Sequence, residues 1–316
     1  MTDISVLGAG AFGTALAISL ARDGNAVTLW ARDPGEMQAA RENTRRLPGH
    51  RFPEALTVTG NLGAACRTPT ILLALPLQQT AGFLTEHGAL FSAQALVSCS
   101  KGIDLASGLG PAEIITRACP GCTPAVLSGP SFAVDIAAGL PTALTLAAAD
   151  PEPLQHALTT SNIRLYRSSD ITGVELGGAL KNVVAIACGI AMGAGLGESA
   201  RAALMTRGYA EMNRFARARG ALPETLAGLS GFGDLALTCT SEKSRNFAYG
   251  LALGRGEAEA KGVTIEGKAT AKAAAKLAQK HGIEMPIANI VVALVEGAIT
   301  VPEAVDTLLA RPLKEE

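Results

Sequence analysis

Apolar positions along the chain fall into two regimes. Over the first half, short runs rich in Val, Ile, Leu and Thr ("DISVLG", "AVTLWA", "LTVTG", "TILLALP", "ALVSCSKG", "AVLSGP", "TALTLAA" and "IRLYRS") alternate with longer segments of helical spacing. One of these, "GTALAISLARDG", carries Gly24 in the position that stops a helix. Strands alternating with helices predict a parallel sheet covered on both faces. After Asp170 the β-like runs cease, and "DITGVELGGALKNVVAIACGIAMGAG", "ESARAALMTRGYAEMNRFARARG" and "EGKATAKAAAKLAQKHG" all read as helices. The pattern predicts an α/β N-terminal domain over residues 1–168 and an all-α C-terminal domain over residues 169–316. A length of 316 residues suits two domains.

The first predicted strand runs into Gly8-x-Gly10-x-x-Gly13 and then an alanine-rich helix. Strand, glycines and helix in that order make a dinucleotide site. The first glycine permits the tight turn, the second admits the pyrophosphate to the backbone, and the third lets helix and strand pack closely. The N-terminal domain is therefore expected to be Rossmann-type, with NAD or NADP as coenzyme. Arg32 ends the second strand, where an acid would ordinarily hold the ribose hydroxyls. A guanidinium there can pair with a 2′-phosphate, which favours NADP, or use of both coenzymes, over strict NAD. Asp33 next door leaves NAD open, and a solvated strand-end charge is the competing reading of Arg32.

Further chemistry clusters at predicted strand ends, where open α/β sheets bind ligands. Lys101 follows "ALVSCS", Pro76 follows "TILLAL", and "LSGPSFA" places Gly129, Ser131 and Ala133 just after another strand. Lys181 is the only charge between Glu175 and Glu198. Lysine is rarely buried unless paired or functional, and desolvation would lower its pKa toward that of a general acid for a carbonyl oxygen. A lysine snorkelling from an apolar helix is the plainer alternative, and Asn182 is placed to orient a functional one. "GLSGFGDLALTCTSEKSRN" joins a glycine-dense loop containing Asp234 to Ser244, Arg245 and Asn246, a set suited to receiving a phosphate. Glu266 stands at the start of another predicted helix.

Composition removes several classes. With 27 basic and 28 acidic side chains the net charge is -1, which gives no electrostatic footprint for nucleic acid. No signal-peptide pattern opens the chain, and the run "VVAIACGIAMGAGLG", about 15 residues, falls short of a membrane span. No membrane span and a cytoplasmic location are expected. "CPGC" at Cys119–Cys122 has redox-motif spacing but lies in a Pro/Gly turn, and reads as incidental. None of the four histidines stands in a catalytic context, and nothing suggests a metal.

Taken in order, "GAGAFGTALA", "SKG", "LSGPSFA", "LGGALKNVVAIA", "LSGFGDLALTCTS..SRN" and "IEG" resemble the bacterial NAD(P)-dependent glycerol-3-phosphate dehydrogenases from Ile4 to about Leu309. The resemblance implies hydride transfer between a nicotinamide coenzyme and a small phosphorylated substrate. The pair is sn-glycerol 3-phosphate and dihydroxyacetone phosphate, reduced to supply phospholipid synthesis. It makes Lys181 the proton donor and acceptor, with Lys101 beside it. Lys101, Gly129, Ser131, Lys181, Asp234, Ser244, Arg245 and Asn246 become substrate contacts. Gly8, Gly10, Ala11, Phe12, Gly13, Arg32, Lys101, Ala133, Arg245 and Glu266 become the coenzyme set. Ala11 stands where serine is common in the family, and "TIEG" replaces the usual "VVEG". A homodimer is compatible with the resemblance, and nothing in the sequence fixes it. The competing readings are a related 6-phosphogluconate- or hydroxyacid-type dehydrogenase and a non-catalytic dinucleotide sensor.

Overall fold

A computed structural model of the chain describes residues 2–258 and 264–310. All eight apolar runs form strands: β1 (Asp3–Leu7), β2 (Ala26–Trp30), β3 (Leu56–Thr59), β4 (Thr70–Leu73), β5 (Ala95–Ser98), β6 (Thr123–Ser128), β7 (Thr142–Ala148) and β8 (Ile163–Ser168). Between them lie α1 (Ala11–Arg22), α2 (Gly35–Ala40), α3 (Leu62–Ala65), α4 (Leu77–His87), α5 (Pro111–Ala118), α6 (Ala133–Ala137) and α7 (Glu152–Leu158). The strands join in one sheet of order β3-β2-β1-β4-β5-β6-β7-β8.

Both faces of this sheet are covered, which is why its strands read as unbroken apolar runs. Val6, Leu72 and Val97 point toward α1, whereas Leu7, Ile71, Leu73 and Leu96 point toward α4 and α5. Each fully buried leucine, isoleucine or valine contributes about 1.5–3 kcal/mol. Strand order reverses between β1 and β4, and that switch point is where such sheets bind ligands.

One expectation fails here. The sheet is mixed, because β7 runs antiparallel to β6 with Ser128 opposite Thr145, and β8 then runs parallel to β7. The connection over residues 129–141, which contains the five-residue α6, starts and ends at the same end of the sheet instead of crossing to the other. The apolar pattern of β7 does not record its direction.

Beyond Ser168 the described elements are helical: α8 (Ile171–Gly193), α9 (Gly197–Ala218), α10 (Pro223–Ala227), a π-helical turn (Leu229–Gly233), α11 (Asp234–Cys239), α12 (Arg245–Gly254), α13 (Glu266–His281), α14 (Pro286–Val295) and α15 (Val301–Leu309). Asp170 caps α8 through a bond from the Gly173 N–H. The apolar run read as about 15 residues is part of this 23-residue helix, long enough by composition to span a membrane. Its most apolar window is instead 89% buried within the protein. The core around it includes Phe215, Leu235, Ala274 and Val291. Gly189 and Gly193 face Phe247 and Leu251, while Gly250 and Gly254 face Ile186 and Ile190, so α8 and α12 cross backbone to backbone. No side chain holds them apart, and the N-terminus of α12 is fixed relative to α8.

Candidate active site

The site forms where the parallel strands end and α8 passes them. At the mouth of β1, Gly8 has φ +117°, and a Cβ there would stand 2.5 Å from the Ala74 carbonyl oxygen. A Cβ at Gly13 would collide with the Gly8 carbonyl. Gly10 is different: it is exposed, and a Cβ there would meet nothing within 4 Å. The fold itself demands glycine at 8 and 13. At 10 it does not, and the space beside that position is open. Ala11 and Phe12 open α1 directly behind, presenting the helix N-terminus to that space.

Two further groups shape this end. Arg32 is exposed two residues beyond β2, with Asp33 beside it. Asn43 was not singled out in the sequence, yet it is 2% exposed and donates to the Ala9 carbonyl and to Thr14 Oγ1, both at 2.9 Å. It pins the glycine turn from outside. It stands between Glu42 and Thr44 in a polar stretch, so nothing in the sequence signals its burial.

The charged centre joins both halves. Lys101, beyond β5, donates from Nζ to the Gly129 carbonyl at 3.0 Å and to Asp234 Oδ2 at 2.6 Å. Lys181, midway along α8, donates to Asp234 Oδ1 at 2.8 Å and Thr238 Oγ1 at 2.6 Å. Asp234 is only 1% exposed, so a single buried carboxylate bridges two ammonium groups. Burial lowers the Lys181 amine from its ordinary value to about 8, and the charge on Lys101 pushes the same way. Asp234 opposes both. Glu266, at the start of α13, is pushed up by burial, while Arg245, Lys101 and Lys181 pull it back. Gly178, less than one turn before Lys181, lies against Ser128 Oγ and the Lys101 stem, and any larger residue would push α8 away.

Several expectations need adjustment. Asp234 does not sit in a glycine loop: "LSGFG" forms a π-helical turn that runs straight into α11, and Asp234 is its first residue. Asn182 does not orient Lys181. Its Oδ1 accepts from Asn246 Nδ2 at 2.9 Å, and Asn246 Oδ1 accepts from the Gly267 N–H at 3.0 Å. This chain of amides ties α8 to the starts of α12 and α13, holding Arg245 and Glu266 in place. The residue that orients Lys181 alongside Asp234 is Thr238, one turn along α11. Ser244 caps α12 by accepting from the Phe247 N–H, which leaves Arg245 exposed at the first helical position. Ser131 Oγ donates to the Gly129 carbonyl at 3.2 Å, and Ala133 opens α6. Pro76 precedes α4 beyond the end of β4. The Cys119 and Cys122 thiols are buried among residues of α4 and α5, away from these groups.

The open space beside Gly10, backed by a helix N-terminus, has the form that suits a dinucleotide. A buried amine titrating near 8, with a second ammonium and an exposed guanidinium, suits a phosphorylated carbonyl compound.

Comparison with known proteins agrees over nearly the full length. Family profiles described as the N-terminus and the C-terminus of NAD-dependent glycerol-3-phosphate dehydrogenase match residues 3–153 and 170–306. A glycerol-3-phosphate dehydrogenase [NAD(P)+] of Ruegeria sp. (strain TM1040) is 60% identical over 320 residues, covering 99% of each chain. That of Paracoccus denitrificans (strain Pd 1222) is 60% identical over 316 residues, with 99% of each chain covered. The crystal structure of glycerol-3-phosphate dehydrogenase from Coxiella burnetii superposes with a TM-score of 0.93 at 40% identity, covering 98% of this chain and 99% of that one.

Proposed function

Because this chain belongs to the NAD(P)+-dependent glycerol-3-phosphate dehydrogenase family, we propose that it interconverts sn-glycerol 3-phosphate and dihydroxyacetone phosphate, with Lys181 as its acid–base group. The bridge from Lys181 through Asp234 to Lys101 carries this reading. It gathers an amine of lowered pKa and a second cation where the coenzyme half, residues 1–168, meets the helical half, residues 169–316. The nicotinamide coenzyme, when bound, supplies the hydride to the ketone carbon. Lys181 gives its Nζ proton to the ketone oxygen as that carbon is reduced, and takes it back in the oxidative direction. Thr238 and Asp234 hold Nζ in place, and Lys101 polarises the same oxygen. Arg245, with Ser244 and Asn246 at the start of α12, receives the phosphate, and Gly129 and Ser131 line the opposite wall.

Gly8, Gly10, Ala11, Phe12 and Gly13 hold the pyrophosphate, and Ala133, Arg245 and Glu266 complete the coenzyme set. Arg32 reads a 2′-phosphate, which favours NADP or use of both coenzymes. The product feeds phospholipid synthesis in the cytoplasm, and a homodimer is the assembly to look for. Oxidation of NADPH on addition of dihydroxyacetone phosphate tests the activity. Arg245→Ala should raise KM for dihydroxyacetone phosphate from several-fold to a few hundred-fold, since charge-assisted bonds contribute roughly 1.5–3 kcal/mol. No turnover by the parent, or an unchanged KM in the variant, removes the respective assignment.

A further inference from the structure

The two halves share a second charged contact outside the buried centre. Lys243 Nζ lies 3.1 Å from Asp135 Oδ1 and 5.6 Å from the centre of the Phe132 ring. Lys243 belongs to the segment between α11 and α12, immediately before Ser244 and Arg245. Phe132 and Asp135 flank Ala133 in the segment that begins at Gly129 and Ser131. Pro130 in the same segment lies close to Gly233. One lysine thus connects the loop after β6 to the turn that presents the phosphate receptor.

We propose that Lys243, held by Asp135 and Phe132, is a positioning residue that clamps the Arg245 turn against the loop after β6 and so tightens the grip on the substrate phosphate. The proposal rests on the glycerol-3-phosphate dehydrogenase reading given above. Lys101–Asp234 closes the same seam from inside, where Asp234 is 1% exposed, whereas the Lys243 and Asp135 side chains are 57% and 33% exposed. The outer pair is therefore open to screening by salt. It adjusts how well the Arg245 turn is held and plays no part in the chemical step.

The test is a double-mutant cycle on steady-state kinetics with dihydroxyacetone phosphate, at low and high salt. Lys243→Met removes the charge and keeps the stem, and Asp135→Asn removes the partner. Each should raise KM for dihydroxyacetone phosphate about two- to five-fold at low salt, the range for exposed ion pairs, with little change in kcat. The double variant should be no worse than either single one, high salt should erase the difference, and Lys243→Arg should behave as the parent. A fall in KM on Asp135→Asn would overturn the clamp, since it would mean a freed lysine reaches the phosphate. Additive effects, or two neutral single variants, would overturn it equally.

Amide exchange of residues 240–246, measured without ligands, gives a readout independent of turnover. It should quicken in both single variants, and unchanged exchange would sink the clamp. If the parent fails to turn over the substrate, the activity reading falls on its own, and exchange alone decides whether the contact holds the turn.

Discussion

Asp234 offers the sharpest test of the charged centre. Asp234→Asn keeps the shape of the side chain but leaves Lys101 and Lys181 without their shared counter-charge. A unit pair at about 4 Å and an effective dielectric near 20 interacts by about 4 kcal/mol. If half of that survives relaxation, roughly 2 kcal/mol, the Lys181 amine drops by roughly 1.5 units. From about 8 it would reach roughly 6.5, so that at pH 7.5 about one molecule in ten carries the ammonium form. Deprotonation also spares the fold an unpaired buried charge, which would otherwise destabilise it by about 3–5 kcal/mol.

The assay is kcat/KM for dihydroxyacetone phosphate against pH at saturating NADPH. A fluorescence titration confirms that the coenzyme still binds. In the parent, reduction should decline as pH rises through about 8, because the donor must hold its proton. In the variant that decline should begin below pH 7. A variant whose profile bends at the same pH as the parent would refute the electrostatic account of Lys181.

Three other perturbations address separate parts of the molecule. Lys181→Met preserves the packing of the stem, and should lower kcat by about 10²–10⁴-fold while NADPH binds nearly as before. A folded variant within a few-fold of the parent would transfer the proton-donor role elsewhere, with Lys101 the first suspect. Arg32→Asp should weaken NADPH far more than NADH, as measured by the two KM values, and equal losses would show that no 2′-phosphate is read there. Glu175, on α8, accepts from the Ala112 N–H at the start of α5, and burial pushes its carboxyl up to about 7. Its stabilising contribution is therefore fully present below the ordinary value near 4.5 and lost as pH rises through about 7. Glu175→Gln keeps an acceptor oxygen and should raise Tm relative to the parent at pH 8 but not at pH 4.5, a pattern that thermal melts across that range would confirm or refute.

Much of the molecule was legible because local signals coincided with tertiary ones. Each apolar run became a strand, since a strand buried on both faces needs no alternation to be recognised. Lys181 stood out because nothing else charged lies near it in sequence. What escaped notice depends on distance along the chain. Asp234 joins Lys101 across 133 residues and Lys181 across 53, and no spacing rule links such positions. Thr238 could have been found from its one-turn offset to Asp234 once that segment was taken as helix. The glycines of "LSGFG" suggested a loop, yet Gly231 is buried where a Cβ would strike the Leu226 carbonyl, so glycine there serves packing within a helical turn. Asn182 resembles a lysine-orienting residue in sequence. One step around a helix rotates the side chain by about 100°, which turns it toward Asn246.

The reversal of β7 makes the first half of α8 a measuring rod. Because β7 and β8 run opposite to β6, Ser168 leaves the chain at the edge of the sheet remote from the glycine turn. Ten helical steps lead from Ile171 to Lys181, and at about 1.5 Å each they climb about 15 Å, close to the length of a five-residue strand. That climb brings Gly178 level with Ser128, where β6 ends, and sets Lys181 just beyond it. The position of the Lys181 amine is thus counted out in residues from Asp170. Deleting any one residue between 172 and 180 would shorten the rod by about 1.5 Å and swing the amine about 100° away from Asp234. A deletion after Gly193 would leave the count untouched. In this fold the site tolerates change beyond the end of α8 far better than in the number of steps that lead up to Lys181.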